Sequence, residues 1–148
     1  MIEITGYRPE HFTRIITANP RSVEGALTDE AVISLKAHEK EQGDAWTMLV
    51  DGNPVACGGF FHYANNEAEA WYLISPDAAE HTKLLLRVVR GFIETFITDK
   101  NVLRLKAFVD MDDEAGKRWA GCMGFTIKDP PEIYHSEGRE YALYERLP

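Results

Sequence analysis

The sequence predicts a single α/β domain, residues 1–148, with a mixed sheet of about seven strands and helices on both faces. Three observations predict it. The chain has 148 residues, 45% of them apolar and 27% charged, which suits one compact domain with a proper core. Its middle is a run of strands separated by two-residue turn signals, Asp51-Gly52 and Asn65-Asn66. After that comes a strand–helix–strand crossover, the signature of parallel pairing.

The elements follow in order. Ile2 to Thr5 reads as a short strand. Arg8-Pro9-Glu10 starts a helix, because proline suits the first helical position and glutamate the positive helix end. Asn19-Pro20-Arg21-Ser22 breaks it. Thr28, followed by Asp29 and Glu30, reads as an N-cap, and the helix it opens carries Ala31, Val32, Leu35 and His38 on one side and stops at Gly43. Ala45–Val50 and Pro54–Tyr63 are two strands of a hairpin through Asp51-Gly52, and Gly58-Gly59 inside the second predicts a bulge or a close backbone approach. Glu67–Ile74 is the third strand, stopped at Ser75-Pro76-Asp77. Between Ala79 and Ile97 the residues Leu85, Val88, Val89, Phe92, Ile93 and Phe96 recur at helical spacing, with Lys83, Arg87 and Arg90 as a basic stripe along one flank. Val102–Val109 alternates as a strand, and Asp112-Asp113-Glu114 opens a helix that ends near Met123, with Gly124 as its C-cap. Phe125–Lys128 and Glu140–Leu147 are the last two strands, with Asp129-Pro130-Pro131 and Ser136-Glu137-Gly138 in the connection.

Composition narrows the function classes. Sixteen Lys and Arg against 24 Asp and Glu give a net charge of −8, which argues against nucleic acid as a partner, since phosphate neutralisation needs clustered cations. No apolar run approaches the ~20 residues of a membrane span, and MIEITGYRPEHF lacks the basic and apolar regions of a signal peptide. Cys57 and Cys122 form neither a disulfide framework nor a zinc pattern, so they read as free thiols in a reducing cytoplasm, with no metal site.

Trp71-Tyr72-Leu73-Ile74-Ser75-Pro76-Asp77 running into the Leu84-Leu85-Leu86 helix, and the later helix ending in Gly124-Phe125, lie in the same order downstream of the Asp51-Gly52 hairpin as in a known superfamily. In these segments and across nearly its whole length the chain resembles the GNAT superfamily of acyl-CoA N-acyltransferases. The strand Pro54-Val55-Ala56-Cys57-Gly58-Gly59, an aromatic strand and a basic helix together resemble small acetyltransferase-like proteins of tailed phages, including an internal virion protein. The resemblance implies acetyl-CoA as co-substrate and a small-molecule or protein amine as acceptor. It also implies a bacterial-host cytoplasmic or virion location and, in the alternative, an inactive GNAT-like phage protein with a binding or virion-assembly role.

The resemblance also distributes roles. A carboxylate on the strand before the cofactor helix serves as base, so Glu69 and Glu67 are candidates, with His62 beside them. Glu69 alternates with Trp71 and Leu73, and a carboxyl on an otherwise apolar face is open to a raised pKa; the plainer reading of Glu67 and Glu69 is a solvated strand end. Backbone amides at Leu73 and Ile74 match the place where the thioester oxygen is polarised. The helix start at Ala79, His81, Thr82 and Lys83, with Arg87 a turn further on, matches the diphosphate site. Two departures stand out. The family's Arg/Gln-x-x-Gly-x-Gly/Ala turn is replaced by Ala78-Ala79-Glu80-His81-Thr82, without glycine, and Ala120 stands where a tyrosine acid is common. Cys122, Tyr134 and Tyr144 remain as proton donors. The expected partners also include a second copy, through the edge of the C-terminal strand with Tyr141, Leu143 and Tyr144.

Overall fold

The computed structural model describes residues 1–18, 30–136 and 138–148. Along them run β1 (Ile2–Gly6), α1 (Pro9–Ala18), α2 (Glu30–Glu39), β2 (Asp44–Val50), β3 (Asn53–His62), β4 (Glu67–Ile74), α3 (Thr82–Asp99), β5 (Arg104–Asp110), α4 (Glu114–Cys122), β6 (Thr126–Ile127), β7 (Ile133–Ser136) and β8 (Arg139–Arg146). The sheet is mixed, with strand order β1-β2-β3-β4-β5-β8-β6 and β7 also on β8. The expected breaks at Asn19-Pro20-Arg21-Ser22 and Thr28-Asp29 lie outside the described residues. No described helix is long and apolar enough to cross a membrane. The chain forms two compact units, Met1–Phe61 with Trp71–Thr82, and His62–Ala70 with Lys83–Pro148.

In the first unit β2 pairs antiparallel with β1 and β3. Asp51 and Gly52 have φ of 50° and 81°, the paired left-handed conformations of a tight hairpin turn, as the Asp-Gly dipeptide predicts. The register shifts between Met48 and Leu49, a bulge in which Met48 faces Ala56 and Leu49 faces Pro54. Close approach explains the two central glycines: a Cβ on Gly58 would lie 2.8 Å from the Trp46 ring, and one on Gly59 would lie 2.4 Å from the Asp44 carbonyl oxygen. Phe12, Ile15 and Ile16 recur at i, i+3 and i+4 along α1 and are all but fully buried, packing with Tyr7, Ile33, Ala37, Cys57 and Leu73. The buried face of α2 differs from the expected one. Ile33 and Ala37 are inside, whereas Leu35 is 61% exposed and His38 is exposed. Apolar residues are scattered around this helix, so spacing alone selects no face. Lys40 follows it, its ammonium 4.7 Å from the Phe12 ring centre and 5.2 Å from that of Trp71.

In the second unit β4 and β5 are parallel, from Glu67↔Arg104 to Ala70↔Ala107, and β5 and β8 are antiparallel. Leu85, Ile93 and Phe96 are the buried residues of α3. Asp113 caps α4 by accepting the Gly116 N–H at 2.9 Å. The other end closes with Gly124 at φ 88°, the Phe125 N–H on the Ala120 carbonyl and the Gly124 N–H on the Gly121 carbonyl, the paired bonds of a Schellman cap.

The C-terminal region departs from expectation. Ile133–Ser136 is a strand, where the sequence suggests only a connection. β6 and β7 share one edge of β8. The Lys128 N–H donates to the Leu143 carbonyl, the Leu143 N–H donates to the Glu132 carbonyl, and Asp129-Pro130-Pro131 makes an excursion between them. With β5 on its other side, β8 is an interior strand. Its edge is therefore already paired, which corrects the expected route to a homodimer.

Candidate functional site

Two backbone hydrogen bonds fix how the backbone of β4 is turned. The Tyr63 N–H donates to the Glu67 carbonyl at 2.7 Å, and the Ser75 N–H donates to the Val55 carbonyl at 2.8 Å. Residues of one parity in a strand point their N–H and C=O to the same side, so the odd residues 67 to 75 face the β3 side. The amide of Leu73 is thus turned toward β3, and that of Ile74 points away from it. The register with β5 ends at Ala70↔Ala107, before β4 itself ends at Ile74.

The segment after β4 differs from an open loop. Pro76–His81 is a 3-10 helix that passes directly into α3, with Thr82 already at helical angles. The helical run therefore begins at Ser75. Ser75 is buried, its side-chain oxygen accepts the Asp77 N–H at 3.1 Å, and its carbonyl accepts the Ala78 N–H at 2.9 Å. Thr82 turns its hydroxyl back onto the Ala79 carbonyl at 2.8 Å. A glycine-free segment has adopted the conformation its residues favour, with serine as N-cap and proline at the first helical position. This main chain does not fit a diphosphate: its leading amides are bonded internally, and Asp77 and Glu80 add negative charge. The side chains of Lys83 and Arg87, both exposed on α3, do fit an anion. His81 is half-buried and acts electrostatically on Asp51, whose carboxyl is held low chiefly by its bond to the N-terminal ammonium.

The two carboxylates of β4 have different surroundings. Glu67 is ion-paired with Arg104 at 3.1 Å and approaches Lys106 at 3.9 Å, and Arg104 also holds Glu145. Those partners occupy the Glu67 carboxylate. Glu69 accepts the hydroxyl of Tyr63 at 3.3 Å. Burial, then the charge of Glu69 and the bond to it, push the Tyr63 phenol up, so it remains a donor. His62 packs edge-on against Phe96. Tyr134 is exposed, donates to Glu132 at 3.1 Å and meets Phe108 edge-on; the bond to Glu132, first among several causes, pushes its pKa up. Lys128 and Tyr134 hold the Glu132 carboxyl low. Cys57 is buried and Cys122 exposed, and neither is in a disulfide among the described residues. Among the described residues no group of three or more His, Cys, Asp or Glu is arranged to hold a metal ion.

Three participants escape the sequence reading: Ser75 as a cap, Arg104 as the partner of Glu67, and Tyr63 beside Glu69. Ser75-Pro76-Asp77 does carry a helix-start signal, but it also reads as a strand stop. The other two depend on pairing across strands, which spacing does not reveal.

No known family and no curated protein matches the chain in sequence. Solved structures do match in fold. A GNAT-family acetyltransferase from Streptococcus pneumoniae aligns with a TM-score of 0.67 over 100% of both chains at 14% identity. One from Bacillus anthracis aligns at 0.71, covering 99% of this chain and 94% of its own at 9% identity. A ribosomal-protein α-N acetyltransferase in complex with coenzyme A aligns at 0.70, covering 99% and 93% at 10% identity. The chain thus has the α/β fold of the GNAT acetyltransferases, as its element order predicts.

Proposed function

We propose that the chain is an acyl-CoA-dependent N-acyltransferase that moves an acetyl group from acetyl-CoA to an amine by direct transfer. The observation that carries the reading is the end of β4, where the Ile74 N–H points away from β3 beyond the last register pair with β5. The fold similarity to acetyltransferases, one of them in complex with coenzyme A, supports it. In this reading Glu69 takes the proton of the acceptor ammonium, and Ile74 stabilises the oxyanion. Lys83 and Arg87 hold the diphosphate through side chains, in place of a main-chain cradle. Acetyl-CoA supplies the activated thioester. Tyr134 is a weak candidate for protonating the thiolate, because its hydroxyl is already given to Glu132. The experiment is thiol release from acetyl-CoA in the presence of a panel of primary amines. Amine-dependent release that Glu69→Gln abolishes is expected; no release with any amine contradicts the reading.

One observation favours a second reading. The helical run capped at Ser75 closes the place of a diphosphate loop, as expected of a GNAT-fold protein that binds or assembles, in a phage particle for example, without acyl transfer. Under that reading calorimetry finds no acetyl-CoA binding up to about 1 mM, the upper end of ordinary substrate constants.

A further inference from the structure

The first turn of α1 closes on a histidine. Pro9 is the first residue of the helix, so His11 stands third. From that place a glutamate or glutamine side chain commonly reaches back to the amide of the capping residue. Here an imidazole makes that bond. The His11 N–H donates to the Arg8 carbonyl at 2.9 Å, and the Arg8 N–H donates to the His11 Nδ1 at 3.1 Å. The Thr47 hydroxyl on β2 lies 2.8 Å from the same nitrogen. A ring nitrogen that accepts a backbone N–H carries no proton of its own, so Thr47 donates to it and the proton of the neutral ring sits on Nε2. Both side chains are buried.

Protonation turns Nδ1 into a donor. The Thr47 hydroxyl can rotate to accept it, but the Arg8 N–H cannot. A cation there also opposes the positive end of the helix dipole. Among the described residues, Glu10 favours the charged ring, while Arg8 and Arg14 oppose it together with burial, the largest cause. Tyr7, edge-on to the ring at 6.4 Å, brings no charge, because burial above all keeps its phenol protonated. From β2 the neighbour is the neutral Thr47.

We propose that His11 is a pH-sensitive cap: neutral, it closes the first turn of α1 on the Arg8 N–H; protonated, it gives up that bond and the turn opens. Phe12, the next residue, is fully buried in the core of the first unit, so the turn that opens adjoins that core.

The test uses the full chain as wild type and His11→Gln. Nitrogen-15 NMR of the His11 ring at about pH 7 is expected to find the proton on Nε2; a proton on Nδ1 overturns the cap. Exchange of the Arg8 amide, corrected for its intrinsic dependence on pH, reads the opening. Below about pH 6.5 its protection is expected to fall by up to about tenfold per pH unit, levelling off below the His11 midpoint. In His11→Gln it is expected to stay flat, since a glutamine oxygen accepts the same bond and does not titrate. Wild-type protection that ignores pH overturns the proposal, and so does a pH dependence that survives in His11→Gln. Should that variant fail to fold, the wild type alone decides. The Arg8 amide shift and the His11 ring are expected to titrate with one midpoint, below 6.5; separate midpoints, or one at or above 6.5, overturn it.

Discussion

Replacing Ser75 by alanine removes one atom from the start of the helical run and leaves its surroundings in place. The Ser75 N–H still reaches the Val55 carbonyl, and the Ser75 carbonyl still accepts the Ala78 N–H. The side-chain oxygen that accepts the Asp77 N–H is lost. An N-cap replaced by alanine costs about 0.5–2 kcal/mol. Asp77 is exposed, so water takes up its freed amide and the cost falls toward the lower half, about 0.5–1 kcal/mol. For 148 residues an unfolding entropy of roughly 2.1 cal/mol/K per residue converts this to a fall in Tm of about 2–3 °C. Urea and thermal unfolding measure the loss, and calorimetry with acetyl-CoA measures the consequence for binding. Affinity is expected to stay within about twofold of wild type, because the phosphates are assigned to Lys83 and Arg87. Unchanged stability would refute the cap. A gain of about tenfold or more in affinity would refute the side-chain assignment, since a freed amide would then be joining the phosphate site.

Other expectations concern the first unit. Gly59→Ala puts a methyl group 2.4 Å from the Asp44 carbonyl oxygen, so β2 and β3 must shift, at a cost of about 1–3 kcal/mol in urea unfolding; a neutral result would refute the close packing. His11 is buried, its Nδ1 accepts the Arg8 N–H at 3.1 Å, and burial holds its pKa below 6.5. Between the lowered folded value and 6.5 the unfolded chain binds more protons, so His11 stabilises less as pH falls through that window. Stability measured from about pH 5 to 7 should rise with pH, and His11→Gln should flatten that slope; an unaltered slope would refute the assignment.

Much of the fold is legible in local chemistry. Asp51-Gly52 and Gly124 are dipeptide-scale signals whose positive φ the structure contains, and Leu85, Ile93 and Phe96 betray the inner face of α3 by spacing alone. What escapes is non-local. Ile133–Ser136 is exposed throughout and follows two prolines, so only its pairing with β8 makes it a strand. The same pairing moves β8 from the edge to the interior. The candidate site divides in the same way. Residue types and order bring Glu67, Glu69 and Ile74 into view, but the ion pair that holds Glu67 depends on Arg104, a neighbour through strand pairing. The closed start of the helical run depends on choosing between two local readings of Ser75-Pro76-Asp77, strand stop or helix cap, and the structure takes both at once.

The most direct measurement is calorimetric titration of acetyl-CoA into wild type and the Lys83→Glu, Arg87→Glu double variant across a range of salt. Saturable wild-type binding at or below about 1 mM is predicted, weakening as salt rises. In the double variant a loss of about tenfold or more is predicted, with its fold intact by thermal unfolding. Binding that ignores both the charge reversal and the salt would contradict the account.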